Sequence, residues 1–390
     1  MIKRKHIRTS RSVFGLLWML PAFCYSGMQG MEALTDSDLA EVTGQALFVS
    51  DRIAATGAGT GATPTDFTFH RMGLDVELAM NANIDKLQLG CGGFNESIAA
   101  NACDIDLDFV RFMGRNGSQP GNPVTSDFKM LRPYIELAII NENSPSLREV
   151  VGVKIGAQSV DGFLGVGRDY LNTNGTPSGL TNAEHGGVCN ATDGAGALAC
   201  HSGINRISGS LGAELSAQVP LTVSLLGIPL NETVCLGNTS FTNDVCGAGD
   251  EFFTTITGTR LDGLDLQSIP LQLSGGLIST IGIDEGYAWI TESLRFVHGF
   301  SLEDTSDFFI SFQRQRVAFP TYDKTGFSTT ANAGWWMNVP SVKILDMLAP
   351  RLTLGVAELL PALAQPGARL QNIELGQRAV SNCFGGLQFC

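Results

Sequence analysis

The sequence has few charged residues and few histidines, and it lacks the short motifs of common metal and hydrolase sites. Charged residues make up 16% of the 390 positions, and there are five histidines. No Cys-x-x-Cys, His-Glu-x-x-His or Gly-x-Ser-x-Gly occurs, so the sequence indicates neither a zinc site nor a hydrolase nucleophile. We therefore expect a protein that holds no cofactor or metal and is not an enzyme.

Long apolar runs are also absent. A transmembrane helix needs roughly 20 apolar residues, and the N-terminal run from Val13 to Phe23 is shorter. A cationic stretch without acidic residues precedes this run and contains Lys3, Arg4, Lys5, Arg8 and Arg11. This order is typical of a secretory signal peptide, here residues 1–26, with cleavage between Ser26 and Gly27. Cleavage near Gly30 and lipidation of Cys24 are the alternatives. The protein is then exported to the periplasm, the outer membrane or the cell surface, and it is not an integral inner-membrane protein.

Basic residues are scarce in the mature chain. Removing the five cations of residues 1–26 leaves 20 Lys and Arg against 38 Asp and Glu, a net charge of −18. Nucleic acids and anionic lipid headgroups attract basic surfaces, so we expect no nucleic-acid partner.

Cysteine is present in a pattern that fits an oxidising compartment. Without Cys24 there are eight cysteines, in four close pairs: Cys91 and Cys103, Cys189 and Cys200, Cys235 and Cys246, and Cys383 and Cys390. Eight cysteines allow 105 connectivities. The clustering favours disulfides between nearest neighbours, each closing a short loop. A zinc site at the Cys189–Cys200 loop with His185 and His201 is the alternative.

Period-two alternation of apolar and polar residues dominates the rest of the chain. The longest runs extend from Met72 to Ile84 and from Ile207 to Leu225, and shorter ones include Ile135-Leu137-Ile139 and Val151-Val153-Ile155. Such alternation is typical of half-buried strands. It predicts an all-β protein with long amphipathic strands in large, mainly antiparallel sheets, arranged as a sandwich or as an open barrel or solenoid. Few short helices are expected, at residues 35–42 and within residues 341–364.

Turn-rich stretches suggest the domain organisation. The Gly/Thr-rich residues 56–65 separate an N-terminal segment, residues 27–65, from a β-rich domain, residues 66–390. A further boundary is expected near Gly203.

Two clusters of side chains are candidates for a surface function. Asp104, Asp106 and Asp108 alternate along a predicted strand, and a solvated strand face is favoured over a calcium site because the glycine of an EF-hand loop is missing. Trp335 and Trp336 are either part of a core or an exposed adhesive patch.

Three short segments carry a resemblance to a known group of proteins. They are Leu34-Thr35-Asp36-Ser37-Asp38-Leu39-Ala40-Glu41-Val42-Thr43-Gly44-Gln45, the stretch from Arg132 to Gly152, and Gly334-Trp335-Trp336-Met337-Asn338-Val339-Pro340. They resemble exported gammaproteobacterial proteins with an L-x-D-x-[DE]-L-[AS]-x-V-T-G-Q motif, some of them assigned to a Fil-type pilus system. The resemblance implies export and a link to surface fibres, and it carries no catalytic residues.

Two functions agree with these features. The first is a non-enzymatic structural or interaction protein of the cell envelope, a component of a pilus-like surface system with other envelope proteins as partners. The alternative is a periplasmic β-groove protein that carries a lipid or another apolar ligand.

Overall fold

A computed structural model describes residues 47–54, 67–116, 126–167, 203–225, 228–236, 241–242, 245–246, 252–274, 285–294, 297–347, 352–355, 369–370, 376–377, 380 and 382. The strands are β1 (Phe48–Ala54), β2 (Thr68–Leu74), β3 (Glu77–Met80), β4 (Ala82–Leu89), β5 (Ile105–Met113), β6 (Phe128–Ile140), β7 (Glu149–Gly165), β8 (Ile204–Leu225), β9 (Ile228–Leu236), β10 (Phe241–Thr242), β11 (Val245–Cys246), β12 (Phe252–Leu261), β13 (Gly263–Ser274), β14 (Glu285–Ser293), β15 (Gly299–Ser306), β16 (Phe309–Gln313), β17 (Gly334–Met347), β18 (Leu352–Gly355) and β19 (Arg369–Leu370). These residues contain no α-helix, and accordingly no helix that could cross a membrane.

The all-β prediction is confirmed. Most neighbouring strands run antiparallel, while β8 runs parallel to β17 and β18, and β14 runs parallel to β19. Strand β8 follows the alternating run that ends at Leu225 as one strand of 22 residues. The run from Met72 to Ile84 is instead divided among β2, β3 and β4. The division follows pairing, because β2 and β3 lie against β6 whereas β4 lies against β5.

Two long strands organise the sheet. Strand β7 pairs with β6 and then β5 on one side, and with β16 and then β15 on the other. Strand β8 pairs with β5 and β12, and also with β17. Because β17 also pairs with β15 and β16, the pairings through β5, β7, β15, β17 and β8 close into a ring.

The main hydrophobic core is built from the strands of this ring together with β6 and β13. Its fully buried side chains include Ile105, Leu107, Val110, Ile204 and Leu302. The alternation of side chains along each strand supplies this core, because every second residue points to the same side.

A second core lies where residues 317–331, which we call the cap segment, cover one face of β2, β6, β7 and β16. Phe69, Phe309, Phe319 and Trp336 are buried there. The cap segment is closed by bridges between Val317 and Ala331 and between Pro320 and Phe327. The cap segment covers one face of these strands, while on the other face Ile310 and Met337 pack in the main core and Ile135 and Ile155 are exposed.

The prediction of a helix within residues 341–364 is wrong for the residues that the structure describes there. Residues 341–347 belong to β17, and residues 352–355 form β18. Val342 and Ile344 are buried and Lys343 is half-buried, as in a strand. The parallel pairing of β17 with β8 overrides the local helical preference. The other predicted helix, residues 35–42, lies outside the described residues, as do the boundaries at 26 and 65. The boundary near Gly203 stays a prediction.

Candidate interaction surface

An exposed apolar surface crosses the uncovered face of the capped sheet. Met72 pairs with Ile135, Ile135 pairs with Ile155, and Ile155 pairs with Ile310, so these side chains form one row across β2, β6, β7 and β16. Met72 is 53% exposed, Ile135 44% and Ile155 55%. The row is a candidate contact surface, because the largest apolar patch on a protein surface is often functional.

A second row lies beside the first on the same face. It consists of Leu137, Val153 and Phe312, which are aligned by the same strand pairings, and Phe312 is exposed. On the outer strand β1, Phe48 continues the surface and is 71% exposed. We call the residues Phe48, Met72, Ile135, Leu137, Val153, Ile155 and Phe312 the apolar face. Ile310, at the end of the first row, packs against the main core.

The opposite, covered face of the same strands carries charges. Arg71 pairs with Glu136 and Glu136 with Lys154, and all three side chains are buried beneath the cap segment. A half-buried antiparallel sheet normally places apolar residues inward and polar residues outward. In these strands the arrangement is inverted, with the charged side chains beneath the cap segment and Ile135 and Ile155 exposed.

Strand β1 forms a border of this surface. Among the described strands it pairs with β2 alone, so its second edge presents backbone groups for pairing. Arg52 on this strand binds Glu142, with its Nε 2.8 Å from Oε1, and Asp51 lies 2.8 Å from the Nζ of Lys324. Charged residues on an edge strand discourage unspecific pairing.

The charges around the apolar face are balanced. Arg52 is paired with Glu142 and also lies close to His70, which contacts the same carboxylate. Arg314 at the same end of the sheet is paired with Glu149. Both arginines are paired with carboxylates, so neither presents an uncompensated positive charge at this end of the sheet.

The structure tests part of the predicted disulfide set. Cys91 and Cys103 form a disulfide, as predicted, in the loop between β4 and β5. Cys235 in β9 is also disulfide-bonded and fully buried. Cys246 lies in β11. Pairings of the other predicted cysteines stay predictions, and Cys189, Cys200, Cys383, Cys390 and the cleavage residues Ser26 and Gly27 lie outside the described residues.

The three aspartates near β5 do not share one environment. Asp104 is buried, and its carboxylate accepts hydrogen bonds from Arg260, Asn95 and the backbone N–H of Trp335, each at 2.9 Å. The solvated-face interpretation is therefore wrong for Asp104. The solvated-face interpretation holds better for Asp106 and Asp108. The Nζ of the half-exposed Lys86 lies 3.2 Å from Oδ1 of Asp106 and 2.7 Å from Oδ1 of Asp108.

These contacts leave the aspartates engaged with cations and amides of the protein. No group of three or more His, Cys, Asp or Glu side chains suited to a metal occurs in the part of the chain that the structure describes.

The tryptophan pair belongs to the interior. Trp336 is buried in the core beneath the cap segment, and Trp335 is half-buried against the main core. Met337 and Val339 are buried as well. The adhesive-patch interpretation of this motif is wrong. The apolar face lies instead on β1, β2, β6, β7 and β16. Sequence reasoning missed it because the alternation does not say which face is covered.

An apolar cavity lies in the main core, lined by side chains that include Leu164, Ile256, Phe300 and Val339. Its volume is about 30 Å³. Ligand pockets for drug-sized molecules measure about 300–1,000 Å³, so this cavity does not hold a lipid chain.

Comparisons with known proteins add no relationship. No model of a known protein family matches the chain. No curated protein and no solved structure matches it either.

Proposed function

We propose that this protein is an exported, non-enzymatic structural protein of the cell envelope, which assembles with further copies of itself through the apolar face. The observation that carries the proposal is the inverted sheet, with exposed Met72, Ile135 and Ile155 above buried charges. The N-terminal signal and the resemblance to pilus-system proteins support the compartment and the link to surface fibres.

The size of the apolar face supports an interface. Five strands from β1 to β16 span about 19 Å at the usual strand spacing, and five residues along a strand cover roughly 16 Å. The patch is therefore on the order of 300 Å², which suits the apolar centre of an interface that buries about 800 Å² on each partner. Ile155 is 55% exposed, so its loss removes about half of the 1.5–3 kcal/mol of a fully buried side chain, roughly 1 kcal/mol or about a fivefold loss of affinity.

A second copy of the chain fits this surface for two reasons. The rim carries cations and acids in balanced pairs, such as Arg52 with Glu142 and Arg314 with Glu149, so two copies meet without net repulsion at the rim. Two-fold interfaces also need a patch that is complementary to itself, and a flat apolar row with polar borders meets that requirement.

The experiment compares Ile155→Lys with the wild-type chain. Mature protein is isolated from the periplasmic and the sheared-surface fractions, and its mass in solution is measured by sedimentation velocity over a range of concentrations. We expect the wild type to associate and Ile155→Lys to sediment as a monomer, because the lysine places a charge at the centre of the interface.

Phe94→Lys is the matched control. Phe94 is 67% exposed but lies in the loop between β4 and β5, away from the apolar face. This variant should associate like the wild type. A wild-type chain that remains monomeric at all concentrations in both fractions would overturn the proposal, and equal effects of the two substitutions would place the interface elsewhere.

A further inference from the structure

A buried lysine and a buried glutamate face each other on adjacent strands beneath the cap segment. Glu136 of β6 and Lys154 of β7 are directly paired in the sheet, and both side chains have no exposed surface. The Nζ of Lys154 lies 3.7 Å from Oε1 of Glu136. This distance is longer than a hydrogen bond, and Nζ donates instead to the carbonyl of Pro320 at 3.0 Å.

The two carboxylate oxygens of Glu136 have different environments. Oε2 accepts a hydrogen bond from Nε of Arg71 at 2.7 Å. Oε1 is buried and has no hydrogen-bond partner in the structure. A buried ion pair is favourable when hydrogen bonds satisfy its remaining lone pairs, and this pair does not meet that condition.

Aromatic rings enclose the lysine. Nζ lies 4.5 Å from the ring centre of Phe309, 5.2 Å from that of Tyr134 and 5.7 Å from that of Phe319. Burial in these surroundings lowers the pKa of Lys154 to about 8. Burial likewise raises the pKa of Glu136, despite the opposing effect of Lys154 and Arg71. Both shifts favour the uncharged amine and the uncharged carboxylic acid.

We propose that Lys154 and Glu136 condense to form an isopeptide bond, which cross-links β6 to β7 beneath the cap segment. Nζ attacks the carboxyl carbon, the new C–N bond forms, and the bond from that carbon to Oε1 breaks. Oε1 leaves as water. From the neutral pair, one of its protons comes from the amine and the other from the carboxylic acid. From the ion pair, both protons come from the ammonium group. No oxidant, reductant or co-reactant is needed.

The neighbouring side chains suit this step. Arg71 donates to Oε2, the oxygen on which negative charge develops when nitrogen adds to the carboxyl carbon, and such a donor stabilises that charge. The unbonded Oε1 is the oxygen that departs. The reaction needs Nζ at about 3–3.5 Å from the carboxyl carbon, and Nζ lies 3.7 Å from Oε1 of the same carboxylate.

The product changes the charges of the site. Condensation replaces the charges of Lys154 and Glu136 with a neutral amide, while Arg71, which lies 2.7 Å from Glu136, remains a buried cation. Arg71 keeps its hydrogen bonds to the carbonyls of Thr321 at 3.1 Å and Tyr322 at 2.8 Å. This cross-link is independent of the apolar face, which lies on the other side of the sheet.

The test is peptide mass mapping of the mature wild-type chain. The protein is denatured, reduced, alkylated and digested with trypsin. Trypsin does not cut at a lysine whose side chain forms an amide, so we expect a branched species. It joins residues 130–148 to residues 149–168 and has the same mass as the linear peptide 130–168. Edman degradation distinguishes the two, because the branched species releases both Met130 and Glu149 in the first cycle and the linear peptide releases Met130 alone. Fragmentation of this species locates the link at Glu136 and Lys154.

Two comparisons make the outcome decisive. Lys343 and Glu214 lie at the same 3.7 Å but are 30% and 28% exposed, so their peptides should remain separate in the same digest. Lys154→Arg keeps the charge and should abolish the branched species. Free cleavage after Lys154 in the wild type would show an ion pair only and would overturn the proposal, as would a branched species with two N-termini that persists in Lys154→Arg. The wild-type digest decides the question even if the variant does not fold.

Discussion

Substitution of Asp104 by Asn should be strongly destabilising, because it removes one charge of a buried pair. The side chain of Arg260 has no exposed surface, that of Asp104 is 1% exposed, and the two are 2.9 Å apart. Breaking such a pair from one side costs about 3–5 kcal/mol, since the remaining charge stays buried without compensation. Arg260 retains its bonds to the carbonyls of Ala99 and Gly90, at 2.6 and 3.2 Å, so we expect a value near the lower limit, about 3 kcal/mol.

The assay is equilibrium unfolding in urea with the disulfides intact, followed by near-UV circular dichroism. Asp106→Asn is the matched control, because Asp106 is two residues away and its partner Lys86 is 47% exposed. An exposed pair of this kind contributes about 0–1 kcal/mol. Equal losses for the two variants, or a loss below about 1 kcal/mol for Asp104→Asn, would refute the assignment of a buried Asp104–Arg260 pair.

Two further predictions concern pH and backbone conformation. The hydrogen bond from Arg52 holds the pKa of Glu142 at about 2, below its usual 4.5, so its contribution to stability is present above pH 4.5 and is lost as the pH falls toward 2. The wild type should therefore have a higher unfolding midpoint than Glu142→Gln above pH 4.5, and the two midpoints should converge as the pH falls toward 2. A difference independent of pH would contradict the pairing of Arg52 with Glu142. Gly334→Ala should lower the midpoint, because φ is +101° and a Cβ would lie 2.5 Å from the carboxylate of Asp104, whereas Gly326→Ala, with nothing within 4 Å, should have little effect. Equal midpoints for the two alanine variants would argue against this conformation at Gly334.

The strand content could be predicted because period two is a local property. Residues 207–225 alternate without interruption, and they form the greater part of β8. The same reasoning misjudged residues 341–347, where alternation over a few residues competes with a helical pattern. Pairing with β8, which is far away in the sequence, decides that case.

The candidate site was much less predictable. Alternation in β6 and β7 indicates two faces but not which one is covered. Residues 317–331 determine this, since they lie over Arg71, Glu136 and Lys154 and leave Met72, Ile135 and Ile155 outside. No pattern within β6 or β7 predicts that a segment from the other end of the chain packs on their charged side.

By itself, the sequence determined the all-β class and the short Cys91–Cys103 disulfide, because alternation and loop closure act over a few residues. Only the tertiary structure decided the inverted sheet, the burial of Asp104 against Arg260, and the approach of Lys154 to Glu136. Each depends on contacts between segments that are distant in sequence, and the burial they create changes the energies of the charged groups.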